Sequence, residues 1–214
     1  MSGTYRTAAG EGKGEYTEKR SRFLGEIYPV RSEEEAMARV QAARKKYYDA
    51  RHHCYAYILG QDGAFKKASD DGEPQGTAGQ PILKVLEGAG CTDLVAVVTR
   101  YFGGTLLGTG GLVRAYTQAV REALRDAGIV RMCLCNVFAV TVSYSQLDRL
   151  LYFLRQKGLS PGETAYTDSV TTEITVEEAQ SDTFVQEIAS LTGGQAQCEI
   201  LRQGFFPLPE ESGR

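Results

Sequence analysis

The chain has 214 residues, 42% hydrophobic and 24% charged, the balance of a soluble globular protein with one large or two small domains. No apolar run is long enough to cross a membrane, and the opening Met1-Ser-Gly-Thr-Tyr-Arg-Thr7 lacks the apolar core of a signal peptide, so a cytoplasmic protein is expected. A net charge of −3 excludes a strongly basic nucleic-acid footprint over the whole chain.

In chain order, residues 1–20 are polar, Gly-rich and charged, and read as a loose lead-in with at most one short strand near Tyr5. Arg22 to Val30 reads as a strand ending at Pro29. Ser32-Glu-Glu-Glu35 has the form of a capping box. Ala36, Met37, Val40 and Ala43 follow at helical spacing, predicting a helix to about Tyr47. Cys54–Leu59 and Ala64–Ser69 form a hairpin turning at Gln61-Asp-Gly63. An acid- and glycine-rich loop, Asp70 to Gly79, leads to a helix with Pro81 in its first turn and its end at Gly88. Leu94-Val-Ala-Val-Val98 is a continuous apolar run, as in a strand covered on both faces. Beyond a glycine loop, Leu112 to Leu124 carries helical spacing, and Gly128 stops it.

A second unit begins near Arg131. Val140, Val142 and Tyr144 alternate as in a strand. Ser145 is placed to cap a helix that ends at Gly158. Strands follow around Thr164–Thr167 and Val170–Val176, joined at Asp168-Ser169. Ser181 precedes a helix closed by Gly193, and Ala196–Leu201 makes a last strand. That order is βαββαβ, the ferredoxin-like pattern. Pro207–Arg214 reads as a disordered tail. The expected class is therefore α+β, with a lead-in at 1–20, a βαβ-rich domain at 21–130, a ferredoxin-like domain at 131–206 and a tail at 207–214.

Charge is uneven between these parts. Residues 1–130 hold 18 Lys+Arg against 16 Asp+Glu, and residues 131–214 hold 6 against 11. Contact with RNA would have to come from a local patch in the first domain, such as Arg44-Lys45-Lys46, Arg51 and Lys66-Lys67. Five cysteines without a Cys-x-x-Cys spacing argue against a disulfide framework or a structural zinc site. Cys133 and Cys135 share one face of a strand and read as small buried hydrophobes.

Residues 70–116 concentrate the unusual chemistry. Asp70, Asp71 and Glu73 could serve as acid/base groups or hold Mg²⁺. They could equally be turn formers and salt-bridge partners. The segment Gly103-Gly-Thr-Leu-Leu-Gly-Thr-Gly-Gly111 lies between a buried strand and a helix. There Gly103, Gly104, Gly108, Gly110 and Gly111 could aim backbone N–H groups at an anion or simply let helix and sheet pack closely. It is neither a P-loop nor a dinucleotide fingerprint, so no cofactor is expected. Arg100 could fork a phosphate, with Tyr101 and Phe102 stacking on a base. Arg100 could instead pair with one of the three acids. Arg114 is placed in a first helical turn, where a cation opposes the dipole and calls for an anionic partner. His52 and His53 point opposite ways along a strand, and His53 is a further weak catalytic candidate. No Gly-x-Ser-x-Gly or His-Glu-x-x-His occurs, which argues against a standard hydrolase.

Ser21-Arg-Phe-Leu24, His52-His-Cys-Tyr-Ala-Tyr57, Asp70–Gly79 and Val97–Tyr116 together resemble the YigZ/IMPACT family, strongly over about residues 18–128. The resemblance implies a first domain like the βαβ-rich fold of RNase PH, a small-subunit ribosomal protein and elongation factor G domain IV. It implies a second domain similar to domain V of that factor. It also implies a non-enzymatic regulatory or binding role around translation, with RNA, the ribosome or a translation-regulating protein as partner. Eukaryotic relatives act in the amino-acid-starvation kinase pathway and carry an N-terminal RWD domain; with only a short polar lead before residue 20, neither that domain nor that specific role is expected here. An alternative is an enzyme on a phosphorylated or nucleotide substrate, using the acid loop and the glycine loop.

Overall fold

The computed structural model describes residues 3–208. It divides into two compact units, one of residues up to Met132 together with Pro207 and Leu208, the other of Cys133–Phe206. The class is α+β, as expected.

The first unit contains β1 (Thr4–Ala8), β2 (Gly12–Glu18), β3 (Ser21–Pro29), α1 (Glu33–Lys46), β4 (His52–Leu59), β5 (Phe65–Ser69), α2 (Gly79–Gly88), β6 (Leu94–Tyr101) and α3 (Gly108–Ala127). Five strands pair in the order β2-β3-β6-β4-β5, and every pairing is antiparallel. β3, α1 and β4 form a split βαβ, because both strands are antiparallel to the β6 inserted between them.

The apolar run of β6 is explained by two-sided burial. Leu94, Ala96 and Val98 face a core with α2 and α3. Val95 and Val97 face a second core with Val40 and Ala43 of α1. α1 starts as its sequence requires: Ser32 Oγ accepts from Glu35 N–H, while the Glu35 carboxylate accepts from Arg31 N–H at 2.7 Å.

The lead-in is not loose. Residues 4–8 and 12–18 are both strands, and β2 pairs with β3 from Gly12↔Ile27 to Glu18↔Ser21. The glycines that suggest flexibility have another purpose. A Cβ on Gly25 would sit 2.5 Å from Ala119 O, and Cβ atoms on Gly12 and Gly14 would meet the α3 backbone around Ala123 and Ala127. Bare backbone in β2 and β3 lets α3 lie directly on the sheet.

The second unit holds most of β7 (Ile129–Val142), then α4 (Tyr144–Gln156), β8 (Pro161–Tyr166), β9 (Val170–Glu177), a 3-10 turn, α5 (Ser181–Thr192) and β10 (Gln197–Leu208). β7 lies between β9 and β10, and β8 is outside β9. That spatial order, 4-1-3-2, is the ferredoxin-like one. Phe138, Val140, Leu150, Leu154, Phe184 and Ile188 form its core.

Three details differ from expectation. α4 begins after Ser143, whose N–H meets the Gln146 side chain at 3.3 Å, so Tyr144 is helical rather than the last strand residue. Ser181 is the first residue of α5, and its hydroxyl donates to Glu177 O while receiving from Asn136. β10 continues to Leu208, so the expected tail starts in a strand, and residues 209–214 lie outside the described residues. Among the described residues no helix is long and apolar enough to cross a membrane.

Candidate functional site

The first unit brings the acid loop and the glycine loop to the same end of the sheet, with opposite fates. The three acids are consumed internally. Asp70 follows β5 and turns its carboxylate over the loop beyond it. Oδ1 accepts from Ala78 and Gly79 N–H at 3.0 and 2.8 Å, and Oδ2 from Gly76 N–H at 2.8 Å. Ala78 provides no side-chain cap for α2, so Asp70 supplies one from eight residues upstream. Burial opposes its ionisation, but the three N–H bonds outweigh that and hold its carboxyl below the usual value.

Asp71 stands at φ +42°, in the left-handed region. Its Oδ1 takes Arg44 at 2.5 Å, its Oδ2 takes His53 N–H at 2.7 Å, and its carbonyl meets His52 Nδ1 at 2.9 Å. This one residue ties α1, β4 and the loop together.

Glu73 is the buried member. Its Oε1 accepts from Arg100 at 2.7 Å and from the Tyr116 hydroxyl at 2.7 Å. The side chains of Arg100 and Glu73 are only 7% and 3% exposed. Cys54 Sγ lies 3.3 Å from the Tyr116 oxygen. Burial is the largest influence on both the Cys54 thiol and the Tyr116 phenol and pushes both far up, so both stay protonated. Arg100 packs over Phe23 and Phe102 at 5.4 and 5.5 Å. Nη1 is held by Glu73, Nε is buried without a partner among the described residues, and the side chain is only 7% exposed, so the guanidinium is not presented to an outside phosphate.

His53 is buried and bonds the Tyr47 carbonyl through Nε2 at 3.2 Å. Burial lowers its pKa despite that bond, leaving a neutral imidazole at physiological pH. Asp70, Asp71, Glu73 and His53 thus each have defined protein partners.

The glycine loop is open. α3 begins at Gly108, earlier than the apolar spacing suggests, so Gly108, Gly110 and Gly111 form its first turn, and Arg114 falls in the second. No side chain caps this end, and no acid lies in its first turn. Gly104 (φ +84°) and Gly108 (φ +72°) need left-handed backbone. Gly110 has no positive φ, and a Cβ there would find no neighbour within 4 Å, so it is neither strained nor close-packed.

Gly103 is the close approach. Its N–H donates to Ser21 Oγ at 3.0 Å, and a Cβ there would strike the Arg20–Ser21 backbone. The register explains why. Arg22 pairs with Tyr101 and Glu18 with Ser21, so the β2–β3 turn reaches just past the end of β6. That turn is Lys19-Arg20, both at positive φ (+45° and +66°), a two-residue turn where Asn-Gly would be relaxed. Both side chains are exposed, as is Arg114. Among the described residues none of the three forms an ion pair. Beside them Phe102 is 54% exposed and Leu106 83%. Tyr101 is held by Asp49 at 2.7 Å.

This corner unites Phe102, Gly103, Gly104, Gly108, Gly110, Gly111 and Arg114 with Lys19 and Arg20. The last two escape a reading of the sequence, because the glycines of β2 mask its alternation. The basic groups that local clustering favours are mostly neutralised: Arg44 by Asp71, Lys46 by Glu26, Lys66 by Glu87 and Lys67 by Glu33.

The Impact N-terminal domain matches residues 19–124, and a domain of unknown function, DUF1949, matches residues 140–195. The chain is 38% identical to "IMPACT family member YvyE" of Bacillus subtilis, covering 92% of this chain and 90% of that one. It is 37% identical to "IMPACT family member YigZ" of Escherichia coli, covering 84% and 89%. A solved structure titled "Crystal structure of an hypothetical protein" superposes with a TM-score of 0.61 at 33% identity, over 94% of this chain and 99% of that one. The chain belongs to the IMPACT family.

Proposed function

We propose that this protein is a non-enzymatic binding protein linked to translation, and that it grips RNA by its phosphates at the Lys19–Arg20/α3 corner. The carrying observation is the seat of Gly103 against Arg20–Ser21, which brings the exposed Lys19-Arg20 turn against the glycine loop that leads into the uncapped α3, whose second turn carries exposed Arg114. Backbone N–H groups and cations suit a phosphate. Exposed Phe102 offers a face for a base, as aromatic side chains do for single strands. The two left-handed residues Lys19 and Arg20 fit the concentration of strain at binding sites.

The alternative of an enzyme on a phosphorylated substrate is less well supported. It needs free carboxylates, and Asp70, Asp71 and Glu73 are committed to backbone, arginine and tyrosine groups. The link to translation rests on what the family resemblance implies.

The test is co-sedimentation with purified ribosomes at low and raised salt, for the unaltered chain and for Lys19→Glu/Arg20→Glu. Co-sedimentation lost at raised salt and lost in the double variant is expected. Pelleting that the double variant retains would move the contact elsewhere.

A further inference from the structure

The first unit has a second concave feature, lined by different residues from the glycine corner. A groove of about 980 Å³ runs between α2 and α3. Its floor is apolar, with Pro81 and Val85 from α2 and Val113 and Leu124 from α3. Lys84 and Arg121 stand on its rim, both exposed. Among the described residues neither forms an ion pair. Arg6 and Arg125 also border the groove, and no acidic residue among those described lines it.

The geometry points to a docking groove for an amphipathic helix of a partner protein, one that flanks its apolar stripe with carboxylates. Three observations select that occupant. Val113, Thr117, Arg121, Leu124 and Gly128 lie on one face of α3 and its end at steps of three or four residues. They make a stripe about 22 Å long at 1.5 Å per residue, the length of a four-turn helix rather than of a compact metabolite. The floor is aliphatic and contributed by two helices, as in helix-in-groove recognition. Arg125 is paired with Glu122, but Lys84 and Arg121 have no acid partner among the described residues, so a basic or neutral helix gains less from this rim than an acidic one. Val113 is 38% exposed although the other large apolar residues of its helix are buried, so the stripe continues past the core. This surface is separate from Lys19, Arg20 and Arg114, and does not depend on RNA binding.

The experiment uses the full chain and a fluorescein-labelled helical peptide of about four turns, with leucines at i, i+3, i+4 and i+7 spacing and glutamates beside them. Controls are the same peptide with lysine for glutamate and one with a central proline. Saturable anisotropy binding of the acidic peptide alone is expected. Lys84→Glu/Arg121→Glu should weaken it about tenfold or more, while Lys19→Glu/Arg20→Glu leaves it unchanged. The rim residues are exposed, so the variant folds, as its melting curve checks. Val113→Asp should also weaken binding. Equal binding of the lysine peptide, or acidic-peptide binding untouched by the rim reversal, overturns the proposal. So does a concentration-dependent dimer abolished by Val113→Asp, which would give the groove to a second copy of the chain.

Discussion

Replacing Arg100 with alanine should destabilise the first unit severely. The reason is its place in the structure. Glu73 Oε1 is bonded to Arg100 and Tyr116, and the side chains of Glu73 and Arg100 are 3% and 7% exposed. Removing the guanidinium leaves a buried carboxylate with one neutral donor. Breaking a buried pair in this way costs about 3–5 kcal/mol. The loss of packing against Phe23 adds to it. For a unit of this size, about 3 °C of melting temperature accompanies each kcal/mol, so a drop of about 10 °C or more is expected by thermal denaturation followed by circular dichroism. Arg100→Met/Glu73→Leu removes both charges and should recover most of the loss, because paired replacement of a buried ion pair by apolar groups is close to neutral. A melting temperature for Arg100→Ala within about 2 °C of the unaltered chain would refute the claim that this pair is internal and structural.

Other consequences of the same bonding can be measured. Asp70→Ala strands the N–H groups of Gly76, Ala78 and Gly79 and should cost about 2–3 kcal/mol in urea unfolding; a loss below about 0.5 kcal/mol contradicts the capping role. His53 has its pKa lowered by burial, so the unfolded chain takes up a proton first as pH falls. Stability should hold above the unfolded histidine value of about 6.5 and decline below it, and His53→Gln should flatten that decline between about pH 7 and pH 5 in denaturant midpoints. Gly25→Ala drives a methyl to 2.5 Å from Ala119 O and should destabilise by more than about 2 kcal/mol. Gly104→Ala meets no neighbour, and at φ +84° it should cost only about 1 kcal/mol from backbone strain; a reversed order would contradict the packing argument.

Much of the architecture is legible where hydrophobic spacing decides it. The β6 run Leu94–Val98 reads directly as a doubly covered strand, and the βαββαβ order of the second unit follows from its turns and helix stops. The lead-in is illegible because Gly12 and Gly14 look like flexibility, when they make room for α3 arriving from more than a hundred residues away. The start of α3 is hidden for a related reason: glycines lower helix propensity locally, yet here they form its first turn. The candidate residues do gather in one region. Their division into a spent acid loop and an open glycine corner depends on partners such as Tyr116 and Arg44, which no local spacing reveals. Lys19 and Arg20 join the corner only through strand register.

The most direct test is the salt dependence of binding to a short fluorescent single-stranded RNA, measured by anisotropy. Three cations at the corner, Lys19, Arg20 and Arg114, predict a slope of log K against log salt of about −2. Lys19→Glu/Arg20→Glu should abolish the binding without changing the melting temperature. A slope near zero, or a slope and affinity that persist in that variant, would contradict the assignment of the corner as the phosphate grip.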